Sequence, residues 1–146
     1  MIRRISAMLL AVASLFGAGV VMAAPAQAYC NSQHACFYEN LGYTGMQRTD
    51  FYSRTSWANI AYAGTSIPLY KGDGVPENVT SIENADTDTK LSVYYNSGNL
   101  GPCFMIAAYG SVYNMAAIYV KSGTQANDNM NSHRFSNSCL GNTYDF

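Results

Sequence analysis

The sequence predicts an all-β fold, two packed sheets of short strands held by two disulfides. Three observations carry this. Strand-like runs are punctuated throughout by Gly, Asn, Asp and Pro. Helical periodicity is not sustained anywhere after the first residues; its best stretch, 56–61, is too short and broken to build a helical core. All four cysteines fall after an apparent export leader, which is the even count expected of a disulfide-stapled exported domain.

The leader comes first. Arg3 and Arg4 precede an apolar stretch that runs to Ala24 and ends in Pro25-Ala26-Gln27-Ala28. Small residues at Ala26 and Ala28 suit signal peptidase, so residues 1–28 read as a signal peptide cut before Tyr29. A retained membrane anchor is the alternative; Pro25 and the Ala-x-Ala site favour removal. Residues 29–146 then form one secreted, extracellular domain with no membrane attachment. Eight basic residues, two of them in the leader, face nine acidic ones. Without a basic stripe, nucleic acid is not an expected partner. Twelve tyrosines and scarce charge mark a folded β protein, expected to be a monomer, and not a disordered tail.

Cys30, Cys36, Cys103 and Cys139 allow three pairings. Cys30 and Cys36 flank a short polar loop, which favours their union and leaves Cys103 for Cys139. The longer closure is worth roughly 3–4 kcal/mol in the chain-entropy model. The cysteine spacing matches no zinc signature. Strands are predicted over 35–39, 46–51, 79–83, 91–95, 103–109, 117–121 and 133–136, with turns at Lys71-Gly72-Asp73-Gly74 and Asn96-Ser97-Gly98.

An internal repeat organises these strands. Tyr38-Glu39-Asn40-Leu41-Gly42-Tyr43-Thr44-Gly45 runs aromatic, four residues, aromatic, one residue, Gly. A second copy is read from Tyr95 to Gly101, with Leu100 in place of the aromatic and one residue missing. Each half closes with a polar turn and a serine, at 77–82 and 127–133. Two such units of about four strands fit two Greek keys packed face to face.

At these residues the chain resembles the βγ-crystallin superfamily, whose Greek keys carry an aromatic-x4-aromatic-x-Gly hairpin and a late Asx-Asx-x-x-Ser/Thr-Ser turn. The resemblance implies a βγ-crystallin-like sandwich of two Greek-key motifs. It also implies that Ser81 and Ser132 bond back to their hairpins. Cys30-x5-Cys36-Phe37-Tyr38, followed by Tyr43-x-Gly45, is similar to the opening of the Streptomyces metalloproteinase inhibitor family. That likeness implies an extracellular protease as partner. The archetype braces its protease-facing loop with a local disulfide, whereas Cys103 has no cysteine nearby. The expected inhibitory segment is Pro102, Cys103 and Phe104, because a disulfide-anchored loop loses little entropy on binding.

The alternative is a non-inhibitory structural or interaction module, calcium-binding or killer-toxin-like. In calcium-binding relatives the two polar turns exchange oxygen ligands. Here the turns offer Glu77, Asn78 and Thr80 on one side and Asn127, Asp128, Asn129 and Asn131 on the other. Pro76 and Asn131 each depart from the pattern, so calcium, if bound, is expected to bind weakly, and no cofactor is required. Enzyme motifs such as His-Glu-x-x-His, Gly-x-Ser-x-Gly or a phosphate loop are absent from the sequence, and a non-enzyme is expected. Of the two histidines, His34 is expected exposed in the cysteine loop and His133 at a strand start. Asn78-Val79-Thr80 forms a glycosylation sequon that reads here as part of the turn. The tyrosines raise sugar stacking as an option, but strand and core roles explain most of them.

Overall fold

The computed structural model describes residues 29–121 and 123–144. The expected signal peptide, residues 1–28, therefore lies outside the described residues. No helix among the described residues is long and apolar enough to cross a membrane.

Among the described residues ten strands form: β1 (Ala35–Asn40), β2 (Thr44–Asp50), β3 (Ser81–Asn84), β4 (Leu91–Asn96), β5 (Leu100–Ile106), β6 (Ser111–Val112), β7 (Tyr119–Lys121), β8 (Thr124–Gln125), β9 (Ser132–Phe135) and β10 (Thr143–Tyr144). One four-stranded sheet has the order β2-β1-β3-β6 and the other β10-β5-β4-β9, with a small β7-β8 ribbon beside them. Each half repeats one plan. A hairpin (β1-β2 or β4-β5) is followed by a long excursion, and the chain returns as β3 or β9 along the hairpin's first strand. The halves also exchange pieces. The second half's β6 pairs with β3, and the first half's Arg54 bridges to His133 on β9.

Alternation explains which side chains go inside. Ala35 and Phe37, Ile82, Leu91 and Val93, and Phe104 and Ile106 point into one core shared by both sheets. Trp57, Tyr62 and Leu69 join it from the β2–β3 connection. The 56–61 stretch supplies only a 3-10 turn, Trp57–Asn59, which places the Trp57 ring in the core. The opposite face of each sheet carries its own small cluster under a disulfide. Cys30–Cys36 covers Tyr38, and Cys103–Cys139 covers Tyr94. Both disulfides are the expected pairs.

The strands differ from the expected runs mainly at their ends. The 103–109 run begins at Leu100 and stops at Ile106, because residues 107–110 make a tight turn with Gly110 N–H donating to Ala107 O (3.0 Å). The 117–121 run keeps only Tyr119–Lys121, after a 3-10 turn over Met115–Ala117 capped by the Asn114 side chain. Strands β6, β8 and β10 have two residues each, too few to leave a periodic trace.

The repeat is more regular than its sequence suggests. Tyr94, not Tyr95, occupies the place of Tyr38: both precede a bulge, with Asn40 facing Thr44 and Asn96 facing Leu100. The second motif is thus Tyr94-x4-Asn99-x-Gly101, with no residue missing and Asn99 in the place of Tyr43. The backbone agrees, with φ 59° at Tyr43 and 57° at Asn99, and 80° at Gly45 and 79° at Gly101. A Cβ at Gly45 would stand 2.4 Å from Asn40 Nδ2, and one at Gly101 would stand 2.6 Å from Asn96 Nδ2. The closing serines act alike. Ser81 Oγ donates to Asn40 O (2.6 Å) and accepts from Tyr43 N–H (3.0 Å). Ser132 Oγ donates to Asn96 O (2.6 Å) and accepts from Asn99 N–H (3.1 Å).

Candidate functional site

Two regions are candidates for a site: the crossing of the polar turns and the loop carrying Cys139. At the crossing, Asn78 is buried and its amide is engaged at both ends. Its Oδ1 accepts from Lys71 N–H (2.8 Å), and its Nδ2 donates to Gly72 O (2.6 Å) and Asp128 O (2.7 Å). Asn78 therefore ties the first turn to the second, with its side-chain oxygen held by the Lys71 N–H. Thr80 Oγ1 lies 3.5 Å from Asp128 Oδ1, and Asn127 Nδ2 donates to Asp128 Oδ2 (2.7 Å). Burial pushes the Asp128 carboxyl up to about 6; the Thr80 hydrogen bond opposes this and the Glu77 charge adds to it. Glu77 itself pairs with Lys71 (3.2 Å), whose hydrogen bond holds its carboxyl low.

The other two asparagines point elsewhere. Asn129 Nδ2 closes its own turn on Asn127 O (2.8 Å) and Gln125 O (3.1 Å). Asn131 Oδ1 accepts from Trp57 N–H (3.2 Å). Of the seven oxygen-bearing residues in the turns, the fold thus gathers Glu77, Thr80, Asn127 and Asp128 around one spot. Asn127 Oδ1 is buried there with no hydrogen-bond partner. No group of three or more His, Cys, Asp or Glu poised for a metal occurs among the described residues.

The Pro102–Phe104 segment is not the exposed loop expected of it. It lies inside β5, where Cys103 faces Tyr94 and Phe104 faces Val93, and Phe104 is buried in the core. Pro102, which lacks an N–H, is tolerated because it sits at the bulge, short of the Met105 and Ile106 positions where β10 adds its bonds. The disulfide does brace a loop, on its other arm. Cys139 is buried, while the next residue, Leu140, is 103% exposed. Gly141 then sits so close to β5 that a Cβ on it would lie 1.8 Å from Cys103 O. Its N–H donates to Cys139 Sγ (3.2 Å), and Asn142 O accepts from Met105 N–H (2.8 Å). Ahead of Cys139, the Ser138 hydroxyl lies 2.6 Å from Ser136 Oγ and 3.1 Å from the Tyr94 hydroxyl. The sequence signal for this loop is a Cys-x-Gly at the far end of a long disulfide, a pattern too short to stand out beside Pro102-Cys103.

His133 lies in β9 as expected, but it is wholly buried. Trp57 Nε1–H donates to its Nδ1 (2.8 Å), so the imidazole carries its hydrogen on Nε2 and donates to Tyr52 O (3.0 Å). Burial pushes this group down to about 4. His34 is half-buried in the cysteine loop, its ring 5.3 Å from that of Phe51.

The fold these features share is that of the βγ-crystallins. One solved structure, from work on the evolution of the eye-lens βγ-crystallin domain fold, superposes with a TM-score of 0.54 at 10% identity, covering 73% of this chain and 89% of its own. A βγ-crystallin from Ciona intestinalis has 15% identity and a TM-score of 0.45, covering 70% and 99% of the two chains. An archaeal βγ-crystallin has 13% identity and a TM-score of 0.46, covering 72% and 99%. No protein-family profile matches the chain, and neither does the sequence of any curated protein.

Proposed function

We propose that this chain is an exported inhibitor of an extracellular metalloprotease, and that it presents the Cys139–Leu140 bond to its target. The observation that carries this reading is Leu140, fully exposed directly after a disulfide-held cysteine. A lone surface leucine carries no message. This one is fixed from both sides, by Cys139 and by Gly141 seated against Cys103. Such a loop offers an apolar side chain to a specificity pocket with little ordering entropy left to lose. The two disulfides suit an oxidising, extracellular setting. The test is to assay the purified protein against thermolysin-type, subtilisin-type and trypsin-type proteases. Inhibition of the thermolysin type at micromolar protein is expected, and Leu140→Gly should weaken it by about tenfold or more. No inhibition of any of the three would sink the reading.

Asn127 Oδ1 supports a second reading, a calcium-stabilised module, because a buried oxygen without a donor beside a carboxylate is what a hard cation seeks. Asn127, Asp128, Thr80 and Glu77 would hold the ion, which would there cross-link the two turns. One site is proposed and not a symmetric pair, since the Asn78 and Asn131 oxygens are each already oriented by a backbone N–H. Calorimetry at millimolar calcium should show heat that Asp128→Asn abolishes; an absence of both heat and melting-temperature shift would rule it out.

A further inference from the structure

On the outer face of the first sheet lies a cleft of about 420 Å³ that neither function uses. Its floor carries Glu83, on β3 between Cys36 and Ser111. The Tyr38 hydroxyl donates to Glu83 Oε2. Burial, with this carboxylate alongside, holds the Tyr38 phenol protonated well above its ordinary range, so it stays a donor to Glu83. None of the ion pairs among the described residues reaches Glu83; they engage Asp50 and Glu77. A half-buried carboxylate thus faces the cleft with one neutral donor and no cation.

The walls are aromatic. Tyr29 and Tyr109 line the cleft and are 85% and 71% exposed. Tyr109 is also held in the left-handed region, φ 58°, by its N–H to Asp86 O (3.0 Å) and by Gly110, whose carbonyl accepts from Asn84 N–H (2.9 Å). An aromatic residue is strained in that conformation. Here the strain falls on a ring that packs into no core, at the mouth of a cleft.

We propose that this cleft binds a small alkylammonium group, with Glu83 as its counter-charge and the rings of Tyr109 and Tyr29 as its walls. A carboxylate supplies the charge-assisted hydrogen bond, and tyrosine faces attract a cation where a neutral group of equal shape gains only contact. The volume lies within the roughly 300–1,000 Å³ of ordinary small-molecule sites.

The test is an NMR titration of the exported protein, its N-terminus read by mass spectrometry, with n-butylammonium and in parallel with 1-butanol. The expected result is saturable shifts of the Asn84, Gly110 and Ser111 amides with the ammonium and none that saturate with the alcohol. Glu83→Gln, which preserves an acceptor for Tyr38, should weaken binding by about tenfold or more. Tyr109→Gly, which the positive φ accommodates, should weaken it severalfold with the fold intact. Equal responses to the alcohol, or an unchanged affinity in Glu83→Gln, would overturn the proposal. So would binding that appears only after acetylation of the α-amino group, because the chain's own terminus would then be what occupies Glu83.

Discussion

Trp57 and His133, from opposite halves of the chain, meet in a buried hydrogen bond between two rings. Their geometry admits only the neutral imidazole, since a proton on Nδ1 would face the indole N–H. Arg48 and Arg54 also lie near enough to oppose a positive charge on His133, and Asp50 favours one. The folded group sits near 4 and the unfolded one near 6.5, so between these values only the unfolded chain takes up the proton. Stability is complete above pH 6.5 and falls as the pH drops towards 4, by on the order of 3 kcal/mol in all. Asp128 acts in the opposite sense. Its carboxyl is raised, so the folded chain holds that proton more firmly and gains stability as the pH falls from about 6. Asp128→Asn should therefore steepen the acid loss seen in chemical denaturation from pH 7 to 4. An unchanged slope, or a His133 imidazole that titrates near 6.5 by NMR, would show the assignment to be wrong. None of this was legible in the sequence. Histidine at 133 reads as an ordinary strand residue, because its partner is 76 positions away.

The hairpins show how elements are fixed by positions that look like gaps. Gly45→Ala adds both a positive-φ strain and a contact with Asn40, whereas Gly64, at φ 72°, has open space where a methyl would go. Urea denaturation should find Gly64→Ala destabilising by about 1 kcal/mol and Gly45→Ala by about 2–3 kcal/mol. Equal losses would mean that the hairpin relaxes around the methyl. The first hairpin is readable because Tyr38, Tyr43 and Gly45 keep the motif's letters. The second reads one residue out of place because Asn99 stands where the pattern has an aromatic. Asn tolerates the left-handed region as few residues do. Its side chain, with the nitrogen turned inward, also donates to His133 O (3.1 Å) and Arg54 O (3.2 Å), tying the hairpin to the bridge between the halves. An aromatic spacing rule does not register a substitution made for backbone reasons.

For the molecule as a whole, the two disulfides differ in reach. Cys30–Cys36 spans a sequence separation of 6 and Cys103–Cys139 one of 36. In the chain-entropy model, replacing the pairs by serine should cost about 2 and about 4 kcal/mol respectively. The Cys103–Cys139 replacement should also abolish inhibition, since it frees Leu140. Melting curves and protease assays on the two variants check both points; retained inhibition without Cys103–Cys139 would detach the loop from its brace. The fold class was legible in strand runs and turn residues, and both pairings in the short polar loop between Cys30 and Cys36, which leaves Cys103 for Cys139. The presentation of Leu140 was not, because it depends on Gly141 reaching the backbone of a strand far away in the chain.

The exchange of pieces between the halves also bears on how the chain is made. A ribosome delivers β1, β2 and β3 first, yet the first sheet lacks its fourth strand until Val112 has been synthesised, and Arg54 waits for His133. Because β6 and the Arg54–His133 bridge join the halves, the nascent N-terminal half is expected to stay open until these later residues are present, which protease sensitivity of a chain truncated before Ser111 would check.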